Sequence, residues 1–166
     1  MPPKFDPAAM LGVLAARGVD CIVIGGFAAV AHGAPHITFD VDVVPSRSPD
    51  SLERLAHALV DLDARIRTEG AEGGLQFDRS AAMLRGVSIL NLTTKFGDLD
   101  LTFTPAGTTG FEDLRRNAVH VTVQGTSVLV AALADVIRSK EAANREKDRV
   151  ALPALRKLAE MIRERS

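Results

Sequence analysis

Apolar positions along this chain switch between a helical and an extended spacing, and the switches mark the elements. Ala9, Met10, Val13 and Leu14 recur at helical spacing, with Gly18 behind them as a cap. Asp20 to Ile24 is a short apolar run of strand length, broken by Gly25-Gly26. Helix formers resume from Phe27 to His32, until Gly33 and Pro35 stop them. Ile37 to Val44 reads as a strand closed by Pro45, and Ser48-Pro49-Asp50-Ser51 supplies cap chemistry for a helix through Leu52, Leu55, Leu59 and Leu62. Glu69 to Gly74 reads as a glycine-rich loop.

Strand patterning returns at Val87 to Leu92, a turn follows near Lys95-Phe96-Gly97, and Asp98 to Phe103 alternates polar and apolar residues as the second arm of a hairpin. After a loop at Pro105 to Gly110 come a short helix, Phe111 to Arg116, and two small strands, Val119 to Val123 and Ser127 to Val130. From Ala131 the pattern is helical to the end, with a break expected near Pro153. Helices interleaved with strands predict an α/β (α+β) architecture, a mixed sheet flanked by helices. No internal repeat or linker divides the chain, so 1–166 is expected to be one domain, with a core at about 18–130 and a helical part at about 131–166.

The aspartates change this picture from fold to chemistry. In the strand Thr38-Phe39-Asp40-Val41-Asp42-Val43-Val44, residues two apart share a face, so Asp40 and Asp42 project together while Phe39, Val41 and Val43 face the other way. Asp98 and Asp100 repeat the arrangement on the later strand. Carboxylates held side by side repel one another, and a divalent cation with a preference for oxygen turns that repulsion into a binding site. Mg²⁺ or Mn²⁺ is the expected metal.

Composition narrows the alternatives. With 46% hydrophobic and 25% charged residues the chain is neither disordered nor membrane-like, and its apolar runs fall short of the ~20 residues that a spanning helix needs. No secretory signal is visible at the N-terminus, which makes a cytoplasmic protein the expectation. The single cysteine, Cys21, reads as a buried strand residue, and it and the four histidines show no zinc spacing. His32 reads as a cap or packing residue, and His57 and His120 as surface or strand residues. From Arg138 to Ser166 there are nine Lys or Arg against five Asp or Glu, a basic helical wall suited to phosphates. Tyr and Trp are absent, so base stacking would fall to Phe, His or Arg.

A glycine turn, a helix, an Asp-x-Asp strand and a later acidic strand, in that order, resemble the nucleotidyltransferase superfamily that shares the DNA polymerase beta palm. The resemblance spans roughly Gly18 to Leu155, and it implies that Asp40, Asp42 and Asp100 are catalytic metal ligands, with Asp98 in reserve. Gly25 and Gly26 would bind the nucleotide's phosphates, and Thr38 would touch the nucleotide. The Gly-Gly form, Thr38 to Asp42, and Ser139-Lys140-Glu141-Ala142-Ala143-Asn144-Arg145-Glu146-Lys147-Asp148 look more like the type IV toxin-antitoxin branch. That likeness implies that Lys140 and Arg145 neutralise phosphate charge, with Asp148 orienting them. His36 stands where the branch often carries Arg. An NTP substrate, an acceptor hydroxyl on an RNA or tRNA end, a protein or a small molecule, and an antitoxin partner are further implications. Two alternatives stay open at this point: a non-catalytic binding or regulatory protein of the same fold, and a haloacid-dehalogenase-like phosphatase, whose nucleophile strand Phe39 to Val44 also resembles.

Overall fold

In the computed structural model, which describes residues 3–165, Asp6 opens the first helix, α1 (Pro7–Ala16), by accepting a hydrogen bond from the Ala9 amide at 3.1 Å. β1 (Cys21–Ile24) runs directly into α2 (Gly25–Ala31), so the glycine pair forms the first turn of that helix instead of preceding it. β2 (Asp40–Pro45) starts later than its apolar pattern suggests, because its first rung with a neighbouring strand is Asp40 opposite Asp98. The residues ahead of that rung have no strand to pair with. Ile37 and Phe39 accordingly stand 81% and 76% exposed, and the expected inward placement of Phe39 is corrected.

Ser48 caps α3 (Pro49–Asp61) by accepting from the Ser51 amide at 3.4 Å. The expected glycine-rich loop is instead half of a hairpin, β3 (Arg65–Thr68) with β4 (Ala71–Leu75). Ala-Glu-Gly-Gly-Leu has no alternation to announce a strand, and Gly74 is required there: its φ is +83° and a Cβ would sit 2.7 Å from the Ile66 carbonyl oxygen. A five-residue helix, α4 (Ala81–Arg85), precedes the hairpin of β5 (Ile89–Thr94) and β6 (Gly97–Thr102). Next come α5 (Phe111–Arg115) and the hairpin of β7 (Val119–Val123) and β8 (Thr126–Val130).

The C-terminal helices break at Asn144 and not at Pro153. α6 (Leu133–Ala143) ends there with Asn144 in the left-handed region at φ +49°, and α7 (Glu146–Arg165) carries Pro153 within it. Asp148 starts the new helix by reaching back to the Arg145 amide at 3.1 Å, half of a capping box. That local hydrogen bond decides the position of the break, and the proline costs the helix one backbone bond.

One mixed sheet holds eight strands in the order β4-β3-β5-β6-β2-β1-β8-β7. β2 lies at its centre, antiparallel to β1 and parallel to β6. The parallel register sets Val41 beside Leu99 and Val43 beside Leu101, and all four are fully buried in the main apolar core. It also sets Asp40 beside Asp98 and Asp42 beside Asp100 on the opposite face. Period-2 alternation on two adjacent strands thus separates a dry face from an acidic one. Among the described residues, no helix is long and apolar enough to cross a membrane.

Candidate active site

Asp40 and Asp42 on β2 and Asp100 on β6 offer carboxylate oxygens that all lie within 4.8 Å of one another. Asp98 stands outside that group, two rungs nearer the turn. Burial pushes the Asp42 carboxyl up to about 7, and the charges of Asp40 and Asp100 push in the same direction. Asp100 is also raised by burial, against the pull of Arg67. Such a cluster favours either protons or a cation. The donor set is oxygen only, on rigid neighbouring strands, which suits Mg²⁺ or Mn²⁺ and suits zinc poorly.

Gly25 makes the cluster sterically possible. Its φ is +74°, and a Cβ there would collide with the Asp42 carboxylate. Gly26 packs against Thr38, whose hydroxyl would lie 3.3 Å from an added Cβ, with His36 Nε2 at 3.8 Å. The Thr38 hydroxyl donates to the Asp40 carbonyl and to Asp40 Oδ1, both at 3.2 Å, so it orients a carboxylate of the cluster. His32 Nε2 lies 2.7 Å from the Ala131 carbonyl, a packing role that ties α2 to the chain entering α6.

Beside the carboxylates opens a cavity of about 480 Å³. Gly25, Gly26, Asp40 and Asp42 form one wall, and Lys140, Arg145 and Lys147 line the other. Asp148 organises that basic wall from beneath. Its side chain is 0% exposed, accepts from Arg145 Nε at 2.8 Å and lies 3.7 Å from Lys140 Nζ. Burial works to raise its carboxyl, but the hydrogen bonds from Arg145 and the charges of Arg145 and Lys140 outweigh burial and hold it below the usual range. Asp148 thus anchors the pair from the interior while Arg145 stays more than half exposed. Lys147 also reaches the acidic side, where its charge lowers the Asp42 carboxyl.

Two residues of this site escape a reading of motifs. Lys147 is one, a cation in a segment already rich in them. Arg67 is the other: it extends from β3 across β5, donating to the Leu92 carbonyl at 2.9 Å and to Asp100 Oδ1 at 2.6 Å. Its Nη1 lies 3.4 Å from Asp98 Oδ2. The alternating Arg65-Ile66-Arg67-Thr68 was the available signal, hidden because its partner strand lacks one. Cys21 takes no part, and burial pushes its thiol up to about 12.

Neither a protein-family profile nor a curated protein sequence matches this chain. Its fold does match solved structures. A candidate nucleotidyltransferase from Thermotoga maritima superposes with a TM-score of 0.53 at 14% identity, over 98% of this chain and 94% of that one. The antibiotic-resistance factor ANT(2'')-Ia superposes with a TM-score of 0.54 at 13% identity, over 96% and 92% of the two chains. The chain has the nucleotidyltransferase fold.

Proposed function

We propose that this nucleotidyltransferase-fold chain is a metal-dependent transferase, working as one domain, that moves a nucleoside monophosphate from an NTP to an acceptor hydroxyl. The observation that carries the reading is the convergence of Asp40, Asp42 and Asp100 within 4.8 Å, with Asp40 and Asp42 lining the same cavity as Lys140, Arg145 and Lys147. Acid on one wall and base on the other is the arrangement that a metal-bound triphosphate requires. Bound at the carboxylates, divalent ions supply charge neutralisation and in-line alignment of the attacking and leaving oxygens. Asp40 and Asp42 would hold those ions, Asp100 would complete the set beside the acceptor, and Asp98 stands in reserve. Thr38 fixes the aim of Asp40. The Gly25–Gly26 backbone lets phosphate approach where a side chain would block it, and Lys140 and Arg145 stabilise charge developing on the leaving pyrophosphate.

The finer reading follows the likeness of Thr38 to Asp42 and of Ser139 to Asp148 to the type IV toxin branch. On that reading the protein is a cytoplasmic toxin held by an antitoxin protein, and its acceptor is an RNA end, such as a tRNA 3′ terminus, or a protein side chain. A small-molecule acceptor is the third class. The test is label transfer: purified protein, Mg²⁺ and each α-labelled NTP in turn, with host RNA and protein, and with Asp42→Ala alongside. Label on one acceptor with the unmutated protein alone is the expected result. Absence of label with every NTP, together with absence of calorimetric NTP binding, would overturn the reading in favour of a non-catalytic protein of this fold.

A further inference from the structure

Arg67 reaches the acidic cluster by an unusual route. β5 lies between β3 and β6, so the side chain must cross a whole strand to touch Asp100. The Leu92 carbonyl of that strand holds Nη1 at 2.9 Å on the way. The guanidinium then divides itself between two acidic side chains of β6: Nη2 at 2.6 Å from Asp100 Oδ1, and Nη1 at 3.4 Å from Asp98 Oδ2. Asp40 and Asp42 crowd the same carboxylate from β2. Asp100, Asp98 and Asp40 all act on the Arg67 guanidinium, which is held by backbone as well as by charge, while Lys147 acts on Asp42.

We propose that Arg67 is a built-in counter-ion and positioning residue for Asp100: it offsets the carboxylate repulsion while no ion is bound, and shares Asp100 with a divalent cation when one arrives. The inference rests on the metal-dependent reading of the site. Arg67 is hydrogen-bonded to Asp100 through Oδ1 alone, so it does not engage both oxygens of the carboxylate. A fixed positive charge at that distance has two opposing effects. It relieves the metal-free protein of part of its acid–acid repulsion, and it also weakens the attraction of the same site for a second cation. Removing the charge should therefore make the metal-free protein less stable and the metal site tighter.

Arg67→Gln removes the charge and, being too short to span β5, also gives up the contact with Asp100, whereas Arg67→Lys keeps a charge on a long stem and loses the fork. Mn²⁺ alone is the probe, read by calorimetry for affinity and by thermal unfolding in EDTA and in saturating Mn²⁺, with circular dichroism to establish that each variant is folded. Arg67→Gln should bind Mn²⁺ on the order of tenfold more tightly than the unmutated protein. It should also unfold at a lower temperature in EDTA, and recover most of that loss with Mn²⁺. Arg67→Lys should stay within a few-fold of the unmutated affinity. A purely structural arginine predicts instead the same loss of stability with and without Mn²⁺, at unchanged affinity. Unchanged or weaker Mn²⁺ binding by a folded Arg67→Gln overturns the counter-ion role while the transferase reading stands. Failure of the unmutated protein to bind Mn²⁺ overturns the metal-dependent reading itself, and the counter-ion role with it.

Discussion

The Asp42 carboxylate occupies the space that a Cβ on Gly25 would need. Gly25→Ala must therefore displace that carboxylate and also hold an L side chain at φ +74°. The expected cost is about 2 to 3 kcal/mol in urea unfolding, with loss of measurable Mn²⁺ binding. Gly26→Ala is the control, since its Cβ would meet side-chain atoms of Thr38 and His36 only, none nearer than 3.3 Å. It should cost under about 1 kcal/mol and spare the metal site. Equal effects of the two substitutions would contradict the steric account.

Asp42 gives the metal-free protein a pH dependence of defined sign. Its carboxyl rises from 3.8 to about 7 on folding, so between those values the folded state holds a proton that the unfolded chain has released. The stabilising contribution is fully present at the acid end and is lost as pH rises through about 7. In EDTA, unfolding between pH 5 and pH 8 should show stability from this group falling toward alkaline pH. Asp42→Asn should flatten that slope, and a slope that persists in the variant assigns it to other groups.

Asp148→Ala should be the most damaging single change on the basic wall. It deletes a fully buried carboxylate, removes the hydrogen bond that starts α7, and leaves Lys140 and Arg145 facing each other without a counter-charge. The expected loss is about 2 to 4 kcal/mol in chemical denaturation, discounted because Arg145 is more than half exposed. A loss below about 0.5 kcal/mol would reduce the pair to an ordinary surface contact.

Lys140→Ala separates phosphate binding from base binding. With Asp148 still paired to Arg145 the helix start survives, so the fold should hold. Calorimetry in Mg²⁺ should show ATP binding weakened at least about tenfold, with adenosine changed far less. Equal losses for both ligands would move Lys140 from the phosphates to the nucleoside.

The carboxylate face was readable because it depends on a rigid rule. Side chains two apart on a strand share a side, and Asp40, Asp42, Asp98 and Asp100 obey that rule whatever the sheet order. The fold class was readable for the same reason, from alternating periods. What alternation cannot express is pairing. Nothing in the sequence announces that Ala71 to Leu75 is a strand, because its place is secured by the backbone freedom of Gly74 and by β3, not by apolar side chains. With that hairpin unread, Arg67 could not be placed beside Asp100. Phe39 failed in the opposite way: its residue type fits a buried strand, but the rung that would have buried it does not exist. Just after Asn144, a single hydrogen bond from the Arg145 amide to Asp148 outranked the proline as the point where the helix breaks.

The parallel rung that sets Asp42 beside Asp100 also schedules when this protein can act. The two aspartates are separated by α3, β3, β4, α4 and β5, and the basic wall follows them by more than another thirty residues. A ribosome adding roughly 5 to 20 residues per second would therefore expose β2 seconds before its parallel neighbour is made. A fragment ending before α7 lacks Lys147 and Asp148, so a chain released there carries an incomplete basic wall. On the transferase reading proposed above, chemistry is withheld until the chain has been translated through Asp148.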